Sequence, residues 1–216
     1  MEIKSTKNVS TNGVKILVYG RAGTGKTTLI KTLPDPIIIS AEGGLLSLSG
    51  TDFPVIEVAS FEDLRDAYNY AKTCKHASIA LDSISEIAEI VLAHEKKNTK
   101  DPRMAYGTMQ DQMNSITRAF RDIPKNIYFT AKQEKTQDDT GRVTFAPSMP
   151  GKKTGQDLPH FFDIVMCLRT RRDENGGVVR ALQTGSDDYY EAKDRSGKLD
   201  FYETPDLGEI IRKVQA

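Results

Sequence analysis

The chain has 216 residues and no formal net charge, a length that suits one domain with a full core. The neutral balance excludes an overall field that attracts polyanions, so any contact with nucleic acid has to come from local patches. Two cysteines far apart in sequence fit reduced, buried thiols, and no apolar run is long enough to span a membrane, so we expect a cytoplasmic protein with no membrane partner.

The first elements predicted are a polar N-terminal extension over residues 1–13 and then one domain over residues 14–216. That domain opens with an apolar strand over 14–19, a glycine-rich turn, and a helix over 27–33 that stops at Pro34. The turn matches the phosphate-binding pattern G-x-x-x-x-G-K-[ST]. Its candidate nucleotide-binding residues are Gly20, Arg21, Ala22, Gly23, Thr24, Gly25, Lys26, Thr27 and Thr28. An ordinary glycine-rich turn is the alternative, but strand, loop and helix agree with the first interpretation.

Each residue type in this turn has a chemical role. The three glycines can adopt positive φ and let the backbone N–H groups surround a polyphosphate. Lys26 would bridge the β- and γ-phosphates, and the Thr27 hydroxyl would be a ligand to Mg²⁺. The turn therefore predicts a site for a nucleoside triphosphate and magnesium.

Two carboxylates follow apolar strands farther along the chain. The strand over 36–40 leads to Glu42, and the strand over 78–82 ends in Asp82. In an open α/β sheet, the carboxyl ends of the strands form the ligand edge. We therefore predict that Asp82 is the second metal-binding residue beside Thr27; its alternative role is a helix cap. We predict that Glu42 is the base that orients the attacking water, and Glu86 is the alternative candidate for that role.

The remaining pattern alternates strands and helices. The predicted strands cover 55–58, 126–131, 163–168, 178–183 and 189–192, and the predicted helices cover 61–74, 85–93, 109–123 and 206–214. Ser60 and Asp206 are predicted N-caps, and residues 173–177 predict a hairpin turn. Polar segments over 94–107 and 134–157 predict mobile loops, the second with a small hairpin around 138–141. This order predicts an α/β three-layer sandwich with a mostly parallel sheet and C-terminal antiparallel strands.

Six of these segments also carry a family resemblance: residues 20–27, 38–42, 81–83, 128–133, 152–163 and 191–195. Through them the chain resembles the RecA-type recombinase core, and more closely the phage Sak-class single-strand annealing ATPases. The resemblance implies a RecA-like P-loop NTPase that hydrolyses ATP with Mg²⁺. It implies that Glu42 is catalytic and that Gln133 senses the γ-phosphate, with Lys132 as the rival. It also implies that Lys193 and Arg195 reach the nucleotide of a neighbouring subunit.

The same resemblance places two DNA-facing loops at the polar segments. Their candidate DNA-binding residues are Lys96, Lys97, Lys100, Arg103, Lys135, Arg142, Lys152 and Lys153. Ordinary solvated loops are the alternative, because both segments also contain acids. The implied partners are single-stranded DNA, further copies of the chain in a ring or filament, and a single-strand-binding protein, in a bacterial or phage-infected cytoplasm.

The expected activity is ATP-driven annealing or assisted strand loading in recombination. The alternatives are a helicase-like or regulatory ATPase with a protein partner, and a nucleotide-gated DNA-binding module with little turnover. The guanine-specific N-K-x-D pattern is absent, since Asn126 is followed by Ile127, and this favours ATP.

Overall fold

The computed structural model describes residues 12–137, 140–173 and 176–216, which form one sheet of ten strands and five α-helices. The strands are β1 (Lys15–Gly20), β2 (Pro36–Ser40), β3 (Val55–Glu57), β4 (Ser78–Asp82), β5 (Asn126–Gln137), β6 (Val143–Ser148), β7 (Ile164–Arg172), β8 (Val178–Gln183), β9 (Lys193–Asp194) and β10 (Tyr202–Glu203). The α-helices are α1 (Phe61–Thr73), α2 (Ile84–Asn98), α3 (Pro102–Arg121), α4 (Lys152–Asp157) and α5 (Leu207–Gln215). Short 3₁₀ helices cover Thr27–Thr32, Leu45–Leu48 and Leu158–Phe161.

The strand order puts β1 at the centre of the sheet. The order is β10-β8-β7-β1-β5-β4-β2-β3, with β6 paired to β5 and β9 paired to β7. The strands from β7 to β3 run parallel, and β6, β8, β9 and β10 are antiparallel to their partners. The predicted mostly parallel sheet with C-terminal antiparallel strands is therefore confirmed.

The sheet is covered on both faces, because successive side chains of a strand point to opposite sides. Leu17 and Tyr19 of β1 belong to a core with α1, α2 and α3, whereas Ile16 and Val18 belong to a second core with α5 and the first 3₁₀ helix. The central strands read as continuous apolar runs because both of their faces are buried. This arrangement confirms the three-layer sandwich.

The prediction of a mobile loop over residues 94–107 is wrong. Helix α2 continues to Asn98, and α3 begins at Pro102 with Asp101 as its N-cap. The surroundings of Glu95 explain why polar residues continue the helix here, because Glu95 is buried and accepts a hydrogen bond from Gln112 of α3 at 2.9 Å. Lys96, Lys97 and Arg103 therefore lie on helices, and Lys100 lies in the short link between them.

The second predicted loop, residues 134–157, is also wrong in most of its length. Strand β5 continues through Gln137 and pairs with β6, and α4 follows. The predicted turn at 138–141 lies partly outside the described residues, as do residues 174–175 of the hairpin turn between β7 and β8. The predicted strand at 189–192 is wrong: Tyr190 forms an isolated bridge with Phe145, and the strand of that region is β9. The helix predicted at 27–33 is a 3₁₀ helix.

Candidate nucleotide site

The phosphate loop begins where β1 ends, at Gly20. Gly23 and Gly25 have φ values of 75° and 106°, as predicted for a backbone that curls tightly. Gly20 is not among the residues with positive φ. It is needed for a different reason, because a Cβ there would lie 2.8 Å from the carbonyl oxygen of Leu168.

Lys26 is folded back over the loop. Its Nζ donates to the carbonyl oxygens of Gly20, at 2.9 Å, and Arg21, at 3.2 Å. Burial lowers the pKa of this ammonium group, and the neighbouring carboxylates of Glu42 and Asp82 act in the opposite direction. Phosphate oxygens are stronger acceptors than peptide carbonyls, so a bound polyphosphate would compete for this cation.

The candidate metal residues are in contact with each other. The Thr27 hydroxyl donates to Asp82 Oδ2 at 2.6 Å, and the Thr130 hydroxyl donates to Oδ1 of the same carboxylate. Asp82 is only 3% exposed. Hydroxyl and carboxylate oxygens are the ligands that Mg²⁺ prefers, so this pair fits the ion. The alternative role of Asp82 as a helix cap is not realised, because Ser83 is the N-cap of α2.

The two candidate bases have different surroundings. Glu42 lines the cavity above the loop, and its Oε1 accepts a hydrogen bond of 2.5 Å from the Ser83 hydroxyl. Glu86 forms an ion pair with Lys132, with 2.6 Å between Oε2 and Nζ. Glu86 is not among the residues that line the cavity in the described part of the chain. This geometry favours Glu42 as the group that meets a nucleotide.

The cavity has a volume of about 650 Å³ and is lined by most of the residues that the sequence predicts to bind the nucleotide. Its lining consists of Gly20, Arg21, Ala22, Gly23, Gly25, Lys26, Thr27, Thr28, Glu42, Ser47, Lys132, Gln133 and Arg180. Gln133 and its rival Lys132 both lie here, at the point where β5 leaves the central sheet. Thr24 is turned to the loop itself, because its hydroxyl donates to Arg21 O at 2.9 Å.

Sequence reasoning missed Arg180 of β8. No motif marks it, and its strand reads as an ordinary hairpin arm. A Cβ on Gly25 would lie 3.6 Å from Arg180 Nε, so this arginine lies directly over the loop. Only the pairing of β8 with β7, and of β7 with β1, brings the two positions together.

Lys193 and Arg195 lie away from this cavity in the same chain. Strand β9 pairs with Ile164 and Val165 at the start of β7, whereas the phosphate loop follows the other end of β1. Lys193 Nζ donates to Pro159 O at 2.6 Å, and Arg195 donates to His160 O at 2.9 Å. Burial, with help from Arg195, lowers the pKa of Lys193 to about 8. Their role towards a neighbouring subunit stays a prediction.

The candidate DNA residues fall into two groups. Lys135 and Arg142 are exposed on the β5–β6 hairpin, and Arg142 is paired with Asp188 at 3.3 Å. The others belong to α2, α3, α4 and the link between α2 and α3. Lys96 Nζ lies 5.5 Å from the centre of the Tyr106 ring, and a Cβ on Gly151, which precedes α4, would lie 3.8 Å from the same ring. We call this region the helical corner: Lys96, Lys97, Lys100, Arg103 and Lys153. Lys152 begins α4, and its side chain lies outside the described part of the chain.

In the parts of the chain that the structure describes, no helix has the length and apolar character needed to cross a membrane.

A glycine-rich loop at the end of a central strand, with a lysine above it and a threonine–aspartate pair beside it, defines a P-loop NTPase. The sheet that carries it is mostly parallel, and both of its faces are covered. The chain belongs to the AAA domain family AAA_24, which matches residues 12–196.

Two individual proteins are similar to the chain over a large region. The tRNA modification GTPase MnmE of Cytophaga hutchinsonii is 29% identical over 151 residues, which cover 60% of this chain and 33% of the relative. The chain thus spans about a third of that relative's length. The KaiC-like protein PH0186 from Pyrococcus horikoshii OT3 is 15% identical, with a TM-score of 0.44 and coverage of 79% of this chain and 77% of that structure. The similarity to this second protein is weak.

Proposed function

We propose that the protein is a magnesium-dependent ATPase that binds single-stranded DNA and acts in DNA recombination or annealing. The observation that carries the ATPase part is the position of Glu42 in the cavity that Lys26 and Thr27 also line, with Thr27 in contact with Asp82. Hydrolysis requires a carboxylate that orients water towards the γ-phosphate and a cation that balances the charge that develops there. The cavity contains both.

The residues of the chain divide this work between them. The backbone of the phosphate loop and Lys26 would bind and orient the polyphosphate. Thr27 and Asp82 would hold Mg²⁺, which when bound neutralises phosphate charge. Glu42 would accept the proton of the attacking water, and the Ser83 hydroxyl fixes its orientation. Gln133 and Lys132 would contact the γ-phosphate from the β5 side.

The DNA-binding part is supported by the helical corner. Its cations come from α2, α3, the link between them, and α4, and Tyr106, which lies beside Lys96, is 41% exposed. Exposed cations near an accessible aromatic ring suit single-stranded DNA, because the cations attract the phosphates while the ring stacks on a base.

Helix α2 connects the two sites. Its N-cap Ser83 contacts Glu42, and its last turns carry Lys96 and Lys97. A helix of 15 residues is about 22 Å long, so one rigid element spans the distance. A nucleotide that moves Glu42 would therefore bias the helical corner. We also propose assembly into an oligomer, in which the exposed Arg195 would approach a neighbouring subunit's nucleotide.

The test is steady-state ATP hydrolysis with and without single-stranded DNA. We expect DNA to stimulate turnover several-fold, and K26A to abolish turnover under both conditions. A double variant K97A/K153A should bind DNA more weakly and with a smaller salt dependence, because two phosphate contacts are lost. The matched control is K72A/K75A, which removes two exposed lysines at the end of α1.

Unchanged turnover in K26A would exclude the ATPase assignment. Turnover that is robust but indifferent to DNA would instead favour an ATPase that acts on a protein partner. If K97A/K153A keeps the DNA affinity and salt dependence of the natural protein, the DNA site lies elsewhere.

A further inference from the structure

A second cleft continues the phosphate cavity on the β8 side of the loop. Its volume is about 640 Å³. It is lined by Gly25, Thr28, Leu29, Lys31, Thr32, Leu168, Val178, Val179, Arg180 and Pro205. Gly25, Thr28 and Arg180 line both spaces. The two spaces therefore form one trough that passes under the Arg180 side chain.

The walls of this second cleft are held by secondary structure. Its floor is the 3₁₀ helix Thr27–Thr32, and α5 is fixed beside that helix because Leu207 N donates to Thr32 Oγ1 at 2.8 Å. Alternate residues of β8 share a face, so Val178 and Arg180 lie on the same side as Leu182, which packs in the core with Leu29. Val178 and Arg180 consequently face the 3₁₀ helix.

The strand order gives the trough a direction. Glu42 follows β2 and Asp82 ends β4, and both strands lie on one side of β1, whereas Arg180 belongs to β8 on the other side. The γ-phosphate, which hydrolysis removes, has to lie near Glu42 and the Thr27–Asp82 pair. The rest of the nucleotide then extends towards β8, where the lining becomes apolar: Leu29, Leu168, Val178 and Pro205.

We propose that this second cleft binds the nucleoside of ATP, with the purine against Val178 and Pro205 and with the Arg180 guanidinium on the phosphates that lie next to the ribose. This inference rests on the proposed function, since it concerns the same bound nucleotide. Arginine suits the junction because its planar guanidinium can donate two hydrogen bonds to phosphate oxygens. The role assigned to Arg180 is binding within its own subunit.

The lining also bears on the choice of base. Among the described residues, no acidic side chain lines this cleft. A guanine base has N–H donors at N1 and on its 2-amino group, whereas adenine has only its 6-amino group. Guanine would therefore leave more donors without a carboxylate to accept them, and an unpaired buried donor is costly. We therefore expect ATP to bind more tightly than GTP.

The test uses the absence of tryptophan from the sequence. V178W introduces a single tryptophan at a position that is 67% exposed, so the substitution leaves the core intact. The control is V55W, at a half-exposed valine of β3 on the opposite edge of the sheet. For both variants, the tryptophan fluorescence emission and the binding affinity are measured with ATP and with inorganic tripolyphosphate. We expect ATP, but not tripolyphosphate, to change the emission of V178W, and neither ligand to change that of V55W.

Loss of ATP binding in V178W with tripolyphosphate binding retained would also support the proposal, because the large ring would then exclude the nucleoside alone. ATP bound at natural affinity with no change in emission would overturn it. Equal weakening of ATP and tripolyphosphate would overturn it as well, since Val178 would then lie beside phosphates. K26A separates the two proposals: if K26A hydrolyses ATP as fast as the natural protein, the proposed function fails whatever V178W shows.

Discussion

At the scale of single residues, the decisive feature is the different partners of two nearby carboxylates. Glu42 accepts a hydrogen bond from Ser83 and faces the cavity, whereas Glu86 is neutralised by Lys132. We expect E42Q to bind ATP but to lose turnover by about 10²-fold or more, because an amide cannot accept the proton of water. Phosphate release and ATP binding are measured in parallel. The control E86Q keeps its turnover; a loss in E86Q with none in E42Q would reverse the assignment.

A second residue-scale prediction concerns Gly20. A Cβ there would lie 2.8 Å from a backbone oxygen, so G20A forces β1 and β7 apart and should lower the free energy of unfolding by about 1–3 kcal/mol. Gly44 is the matched control: it has a φ of −90°, and no heavy atom lies within 4 Å of the place that an added methyl group would take. Urea denaturation compares the two variants. Equal stability of G20A and G44A would contradict the close approach.

The residues that sequence could predict are those whose chemistry is local. The phosphate loop, Asp82 and Glu42 each lie at or just after the end of a buried strand, so the strand pattern alone places them at one edge. Arg180 could not be predicted in this way, because its place above Gly25 depends on the pairing of the β7–β8 hairpin with β1, which is distant from it in sequence. The prediction that Gly20 is needed for a positive φ was wrong for a similar reason. Gly20 is needed because it lies against Leu168 of β7, a residue distant in sequence.

At the scale of elements, apolar strands and capped helices could be predicted from the sequence. The polar segments that extend α2 and β5 could not. Ser60 and Asp63 form the expected capping box of α1, and Asp206 caps α5. The end of α2 and the outer part of β5 have polar sequences that resemble loops. They are ordered by partners that a local pattern does not contain: α3 supports the first, and β6 supports the second.

The Ser85 side chain of α2 connects this helix to the β5–β6 hairpin. The Ser85 hydroxyl donates to Ser148 O at 2.6 Å and accepts from Lys132 N at 2.9 Å. S85A leaves both backbone groups without this partner, so it should lower the free energy of unfolding by about 1–3 kcal/mol and speed hydrogen exchange at the Lys132 amide. The control S115A removes an exposed hydroxyl of α3. Exchange at Lys132 as slow as in the natural protein would show that the hairpin is held by other contacts.

At the scale of the whole molecule, Lys15 joins the central strand to the connection between α3 and β5. Its Nζ donates to the carbonyl oxygens of Asn12 at 2.6 Å, Ile123 at 2.8 Å and Lys125 at 2.6 Å. Burial lowers the pKa of Lys15 to about 8; Asp163 and Asp122 oppose this change, and Arg121 adds to it. The folded protein therefore releases this proton at a lower pH than the unfolded chain does.

The sign of the pH dependence follows from that difference. Between the folded pKa of about 8 and the ordinary lysine value of 10.5, the unfolded state binds more protons, so the contribution of Lys15 to stability rises with pH. We expect the free energy of unfolding of the natural protein to increase relative to that of K15M by about 2–3 kcal/mol between about pH 7 and about pH 10. Urea denaturation of both proteins across this range measures the difference, and groups that titrate equally in both, such as Lys193, cancel. A difference that stays constant with pH would show that Lys15 keeps an ordinary pKa in the folded protein, and that its three carbonyl contacts compensate fully for its burial.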